Sequence, residues 1–318
     1  MSSHPKYFLF LGGLFSVFSL IAILQIGWIG ELLISFVPYA AIVGALIAIV
    51  GIGLWSKANL ATKFLLVLVA SIVVVFGVMT AEYFYTNNRI SKDFNEKSSF
   101  RIGSFNKLVT NKSYENISSA TSGLDVLGMV EVIPIEFEQL SEDWAYSAMT
   151  DCACDAALGS ELAIFSNYPI RKFEQISFGA DNGGIAIAEI EKSPGKLLSA
   201  VIVHPKAPVT FDDLVARNVQ LQRITDVALD QSFPAIIMGD FNTTPWSDDF
   251  ERMTRSLGED YINIKPSGAH KTWCLGEAPI FCAPIDYMFI DSNLGVKEVN
   301  IRNIDGSDHD LIQATLSL

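Results

Sequence analysis

Basic charge, cysteine and histidine are all scarce in this sequence. Its 318 residues hold 22 Lys and Arg against 35 Asp and Glu, a formal net charge of −13, with four Cys and four His. A surface built to neutralise nucleic acid phosphates carries an excess of Lys and Arg. The balance here runs the other way and disfavours a polyanionic partner. No internal repeat and no low-complexity run is present.

Charge is also missing locally. No charged residue lies between Lys6 and Glu31, between Glu31 and Lys57, or between Lys63 and Glu82. The mean hydropathy of +0.34 is correspondingly high for a soluble protein. A helix that crosses a bilayer needs roughly 20 apolar residues, and all three stretches meet or approach that length. Tyr83, Phe84 and Tyr85 extend the third into an aromatic belt of the kind found at membrane interfaces. A cleaved signal peptide would explain only the first stretch, which lacks a small-x-small cleavage site and is followed at once by two more. Helices of a soluble core would show an amphipathic period, and these are apolar on every face. The expectation is a membrane anchor over residues 1–85 with three transmembrane helices, at about 7–30, 32–55 and 64–85. Lys6 precedes the first helix and Lys57 and Lys63 lie between the second and third. By the positive-inside rule the N-terminus is cytoplasmic, and three crossings place the remainder outside.

Residues 86–99 are polar, without an apolar period, and read as a linker. The rest, 100–318, is long enough for one large domain. Six of the basic and four of the acidic residues precede Ser98, which leaves 16 basic against 31 acidic, a net −15. Short apolar runs bounded by turns predict strands at Phe100–Asn106, Val126–Val132, Leu162–Ser166, Gly184–Ile190, Leu197–His204, Ala235–Gly239, Ile285–Ile290 and Leu311–Leu316. Asp212–Leu229 has a helical period. Closely spaced strands that outnumber helices predict an α/β domain of two packed β-sheets flanked by helices, a four-layer sandwich. All four cysteines, Cys152, Cys154, Cys274 and Cys282, fall in this domain. An even set suits disulfides in an oxidising compartment. Cys274 and Cys282 flank a turn-rich segment and can close a hairpin, and Cys152 and Cys154 would bond only through a strained ring. Zinc ligation fits the spacing poorly, and free thiols in a cytoplasmic domain stay open.

Several polar residues stand where strands end. The run Met238-Gly239-Asp240-Phe241-Asn242-Thr243-Thr244-Pro245-Trp246 follows an apolar strand. Glu131 closes the strand begun at Val126, where a carboxylate suits a hard cation. Asn106 ends the first strand. His204 follows Val203, Asp286 opens Asp286-Tyr287-Met288-Phe289, and Ser307-Asp308-His309 precedes the last strand. Taken singly, each can be an ordinary turn or a solvated loop.

Taken in order, they resemble the endonuclease/exonuclease/phosphatase superfamily from Asn106 to His309. The Gly239-Asp240-Phe241-Asn242 run and the terminal Ser307-Asp308-His309 carry the likeness most specifically. Ser166-Asn167-Tyr168-Pro169 and Thr272-Trp273 add to it. The resemblance implies a metal-dependent hydrolase. Glu131 would hold the catalytic metal, with Asn106 beside it and Asp308 contributing. Asp240 would orient and deprotonate the attacking water, and Asn242 would hold Asp240 and the phosphate. His309 would stabilise transition-state charge, Asp286 would fix its tautomer, and His204 would contact the phosphate. The metal would be Mg²⁺ or Mn²⁺. The chain departs from the pattern at Val130, where many relatives have Gln, and at Leu108, where many have Asp. The segment His204-Pro205-Lys206-Ala207-Pro208 replaces a Thr-His-Leu-like one. With the apolar helices, that variant resembles bacterial membrane-anchored members, in the inner (plasma) membrane.

The expected function is therefore hydrolysis of phosphoester or diphosphate bonds by metal-assisted attack of water. The substrate would be lipid-linked or a small phosphorylated molecule at the outer membrane face. A nuclease is the alternative, disfavoured by the acidic charge. A non-catalytic membrane scaffold on the same fold is a second alternative.

Overall fold

The structure, a computed structural model, describes residues 4–85, 94–151, 161–179, 183–276 and 281–318. Cys152 and Cys154 lie outside the described residues. The chain divides into two units. One comprises the N-terminal helices through Thr86 together with Thr244–Asp248, and the other comprises the remainder.

The helical unit contains α1 (His4–Ile23), α2 (Gly27–Ile34), α3 (Val37–Gly53) and α4 (Leu60–Tyr85). The single helix expected over 7–30 stops at Ile23, because Gln25 (φ 43°) and Gly27 (φ 60°) adopt left-handed backbone that a helix cannot continue. The stretch expected over 32–55 is α3 preceded by the last residues of α2. α2 and α3 meet at a bend of 80°, and α3 has a proline in its first turn, where its fixed φ and missing N–H are tolerated. Two helices, α1 and α4, are long and apolar enough to cross a membrane, and the bent pair makes a third if it forms one span. The outward faces are apolar too: Phe10, Leu46, Val50, Val67 and Val78 are exposed. Inside, a Cβ on Gly44 would meet Phe15 and Val73 at 2.5–2.6 Å, so α3 approaches its neighbours only with glycine there.

The larger unit opens with β1 (Ser99–Asn106), α5 (Tyr114–Thr121), β2 (Val126–Val132), α6 (Pro134–Ser141), β3 (Tyr146–Met149) and β4 (Glu161–Ser166). There follow β5 (Ile170–Ser177), β6 (Gly183–Ser193), β7 (Lys196–Pro205), α7 (Phe211–Leu229), β8 (Ala235–Asp240) and α8 (Asp248–Leu257). It closes with β9 (Tyr261–Ile264), β10 (Trp273–Cys274), β11 (Cys282–Ala283), β12 (Asp286–Asp291), β13 (Gly295–Asn303) and β14 (Asp310–Ser317). One six-stranded sheet has the order β13-β14-β1-β2-β4-β3 and the other β5-β6-β7-β8-β12-β9; β10 and β11 form a small hairpin. Residues of both sheets share one core, with Ile102, Val126, Val130 and Ile164 from the first meeting Ala200, Ile202, Ile236, Met238 and Met288 from the second. Strand alternation sends Leu127, Met129 and Phe165 to the opposite face, where they pack with Ile117 of α5 and Leu140 of α6. On the far side of the second sheet, Phe250 of α8 stacks on Tyr287 with ring centroids 4.6 Å apart. These layers are the expected four-layer sandwich.

Topology places the strand ends together. β1 and β2 run parallel, as do β7 and β8, while β14 is antiparallel to β1 and β12 antiparallel to β8. The C-terminal ends of β1, β2, β7 and β8 therefore lie on the same edge as the N-terminal ends of β12 and β14. Asn106, Glu131, His204, Asp240, Asp286 and His309 occupy those six ends.

Candidate active site

The local backbone at this edge is unusual. Among the described residues four non-glycine side chains have positive φ, and three of them are Leu108, Glu131 and Asn242. Such conformations concentrate where geometry serves a function. The β2–β4 ladder slips register between Met129 and Val132. That bulge, with Glu131 at φ 61°, re-aims the carboxylate that plain alternation would have placed elsewhere. Gly239 has φ 143°, and a Cβ there would sit 2.0 Å from the Val203 carbonyl oxygen. Only glycine lets β7 and β8 close at the residue before Asp240.

The side chains converge. Asn106 Nδ2 donates to Glu131 Oε1 at 2.9 Å and to Asp240 Oδ2 at 3.2 Å. Glu131 Oε2 accepts from the Val109 backbone N–H at 2.8 Å. His204 Nε2 lies 3.9 Å from Glu131 Oε1 and 3.8 Å from Asp240 Oδ2. His309 Nδ1 is 2.8 Å from Asp286 Oδ2, and its Nε2 is 3.7 Å from Asp240 Oδ2 and 3.9 Å from Asp308 Oδ1. All eight expected residues thus belong to one chain of near contacts. Asn242 differs from expectation in detail. Its backbone N–H, not its side chain, holds Asp240 Oδ1 (2.8 Å), and its amide donates to the Pro205 carbonyl. The left-handed turn at Asn242 is itself held by Arg217 of α7, buried and bonded to the Asn242 carbonyl at 3.0 Å.

Burial and neighbouring charge set the protonation. Burial, reinforced by the charge of Asp286, pushes Asp240 up to about 6, against the pull of His309 and His204. Burial works against a charged His309, but the Asp286 carboxylate outweighs it, with help from Asp240 and Asp308, and raises His309 to about 10. Burial also opposes ionisation of Glu131. His204, the Asn106 amide and the Val109 N–H overcome it and hold Glu131 below the usual carboxylate range.

A divalent cation fits this donor set on one side. Asp240, Asp286 and His309 offer ligand atoms within 4.8 Å of one another. However, His309 held as imidazolium by Asp286 has no free lone pair for a metal. The better-suited oxygens are those of Glu131 and Asp308. Asp308 Oδ1 is buried and accepts no hydrogen bond, while its Oδ2 is held by the Trp273 indole N–H at 3.0 Å. Hard carboxylate oxygens of this kind suit Mg²⁺ or a similar ion.

Three supporting residues gave weaker signals in the sequence. Lys107 is fully buried, paired with Glu136 at 2.7 Å and bonded to the carbonyls of Leu108 and Asn111. It braces the loop whose Val109 N–H holds Glu131, and a charged residue directly after a strand-end Asn was the only signal for it. Thr272 Oγ1 accepts the N–H groups of Ile285 and Asp286. Trp273 pairs with His309 across an isolated bridge. Next to it Cys274 is disulfide-bonded to Cys282.

Carboxylates, an amide and two imidazoles at the strand ends of an α/β sandwich define a class, the divalent-metal-dependent hydrolases of phosphoester bonds. The chain belongs to the Endonuclease/Exonuclease/phosphatase family, whose model matches residues 101–309. No curated protein matches the sequence. Solved structures of the same fold include TDP2 from D. rerio complexed with single strand DNA product, at 17% identity and a TM-score of 0.58. That likeness covers 70% of this chain and all of the other. The mannosyl-6-phosphatase of Bacteroides thetaiotaomicron is 15% identical, with a TM-score of 0.55 over 69% of this chain and 100% of that one. The human Nocturnin catalytic domain with bound sulfate anion is 17% identical, with a TM-score of 0.55 over 69% and 94%.

Proposed function

We propose that this protein is a membrane-tethered hydrolase of phosphoester or diphosphate bonds acting on a lipid-linked or small phosphorylated substrate, with Mg²⁺ or Mn²⁺ as its ion. The observation that carries the reading is the presence in one chain of this hydrolytic cluster and of helices apolar enough to cross a bilayer. A linker at residues 86–99 would keep the catalytic domain, 100–318, within tens of ångströms of the membrane, at about 3.3–3.6 Å per residue.

In this reading Glu131 and Asp308 hold the ion, with Asn106 beside Glu131. When bound, the ion supplies concentrated positive charge against the phosphate oxygens. Asp240 takes the proton of the attacking water as the new P–O bond forms; the P–O bond to the leaving group breaks, and the departing oxygen keeps its electron pair and takes a proton from solvent, or leaves as phosphate. His309, charged and oriented by Asp286, donates to a phosphate oxygen and stabilises the charge that builds there. His204 approaches the phosphate from the side of Glu131. Asn242 fixes the Asp240 carboxylate through its backbone N–H. The Cys274–Cys282 disulfide supports an oxidising compartment for this domain, and Lys57 and Lys63 support a cytoplasmic N-terminus. Both agree with a domain on the outer face of a bacterial inner membrane. A reporter fused to the C-terminus and active only in the cytoplasm would overturn that orientation.

A nuclease is the second reading, favoured by the fold shared with TDP2, one structure of which holds single strand DNA product. The test is hydrolysis of each substrate by the full chain in detergent, with Mg²⁺ and with EDTA, read as phosphate release for the diphosphate, alcohol release for the diester and nicking for DNA. The substrates are a polyprenyl diphosphate, a soluble phosphodiester and plasmid DNA, with Asp240→Ala as control. Turnover of the lipid that needs metal and is lost in the variant supports the first reading. Nicking of DNA without lipid turnover puts the nuclease in its place.

A further inference from the structure

α7 has two different outer faces along its length. Its inner face, Leu214, Leu221, Ile224 and Ala228, is buried against the second sheet. On the outer face, the first turns carry Phe211 (59% exposed), Val215 (48%) and Val219 (66%), preceded by Val209 (68%), with exposed Asp212 at their edge. One turn further on, the same outer face carries Gln222, Arg223 and Asp226, all exposed, and ends on Leu229 (49%). Phe211, Val215 and Val219 are spaced four residues apart and form one stripe. A helix face that meets only water is predominantly polar. Here the apolar half is the half next to the active site, since α7 starts seven residues after His204.

The core does not need these four side chains, because the helix already buries its inner stripe without them. The Thr210 cap and its reciprocal partner Asp213 fix the start of the helix, so the stripe is held rigidly at that end. A contiguous exposed apolar patch on an otherwise acidic domain marks a contact surface. Its four residues are too few to hold a free protein to a partner. They suffice only if the partner is kept at high effective concentration, as a short tether does. The chain carries such a tether, joining this domain to helices apolar enough to enter a membrane. The net −15 of residues 98–318 argues against attraction to anionic headgroups and for an apolar contact.

We propose that Val209, Phe211, Val215 and Val219 form a docking stripe that rests on the bilayer in which the chain's own helices insert. This rests on the membrane-tethered reading above. Docking holds the His204 side of the site at the membrane surface, where the phosphate of a lipid-linked substrate lies.

The test uses the full chain in nanodiscs. In one arm Val215→Trp reports contact through quenching by lipids brominated on their acyl chains, measured against the parent's own tryptophans. In the other, Val209, Phe211, Val215 and Val219 are all changed to Ser, and KM is compared for a polyprenyl diphosphate in the disc and for a soluble phosphodiester. The proposal expects the Val215→Trp chain to show quenching beyond that of the parent. It also expects a KM for the bilayer substrate raised about tenfold, with turnover of the soluble ester unchanged, which also reports that the variant is folded. No added quenching overturns it, and so does shielding from water-soluble quenchers without quenching by brominated lipid, the signature of a protein partner or a second copy. If quenching is seen but no lipid-linked phosphate is turned over, docking stands and the substrate reading fails. If the lipid is turned over with the parent's KM in the four-residue variant, the substrate reading stands and docking fails.

Discussion

Asp286 stands directly opposite Asp240 in the β8–β12 ladder, and His309 reaches both, 2.8 Å from Asp286 through Nδ1 and 3.7 Å from Asp240 through Nε2. Two buried acids on neighbouring strands would repel each other. The imidazolium between them makes the arrangement tolerable and divides the pair into one acid that orients His309 and one that faces Asn106 and His204.

Asp240→Asn keeps the size and the backbone contact from Asn242 but removes the group proposed to accept the water's proton. General base catalysis is worth roughly 10²–10⁴ in rate, so kcat should fall by that order. Asp240 is held up to about 6, so its ionised form opposes folding above the usual carboxylate range. The variant should therefore melt at the same temperature or higher at pH 7, measured by calorimetry. Activity lost with a lowered melting point would instead indicate a structural role.

Asp286→Asn tests the charge on His309. With Asp286 present the imidazole keeps its proton until about pH 10, and activity that needs the imidazolium is lost only as pH rises through that value. Without it, burial still lowers the imidazole while only Asp240 and Asp308 raise it, so its pKa falls from that value. The alkaline limb of the kcat profile should move down to near neutrality, so the loss at pH 8 exceeds the loss at pH 6. A uniform loss across pH would sink this account.

Lys107→Met removes one partner of a buried ion pair with Glu136, a change that typically costs about 3–5 kcal/mol. Because the loop it braces presents the Val109 N–H to Glu131, the Mg²⁺ concentration for half-maximal activity should also rise. Lys107→Arg should recover part of both. Melting temperature and a metal titration read the two effects separately.

Reducing the Cys274–Cys282 disulfide frees the β10–β11 hairpin, which with its neighbour Thr272 holds the Asp308–Asp310 segment: Trp273 bonds Asp308, the Cys274 N–H bonds the Asp308 carbonyl, and the Asp310 N–H bonds the Thr272 carbonyl. A loop this short predicts about 2–3 kcal/mol of lost stability on the chain-entropy account. Cys274→Ser with Cys282→Ser should lower activity below the melting temperature as well. Full activity at 25 °C in the double variant would show that the hairpin holds Asp308 without the bond.

Some of this was legible along the chain. Asp240 and Asn242 share one short run, Asp308 and His309 another, and each run follows or precedes an apolar strand. The strands that carry the site, β1, β2, β7, β8 and β12, are buried and strongly apolar, so residue type alone marked them to within a residue or two. Edge strands were not marked. β5 (Ile170–Ser177) carries Arg171, Lys172 and Glu174 and is largely exposed, and β13 is similar. The two-residue strands β10 and β11 exist only because they pair. α5 and α6, of eight residues each, are too short for a clear helical period. The break at Gln25 was hidden because its flanking residues are apolar on both sides.

By itself the sequence determined the division into an apolar helical part and an acidic α/β part, the family, and the residue types at the site. Those follow from local composition and from short runs of contiguous residues. The tertiary structure decided how the site is built. The bulge that turns Glu131, the hold of Arg217 on the Asn242 turn, the Lys107–Glu136 brace and the bond from Trp273 to Asp308 join residues separated by up to 35 positions. Each depends on ladder register or on the closing of a loop, and no local pattern encodes which distant partner a side chain will meet.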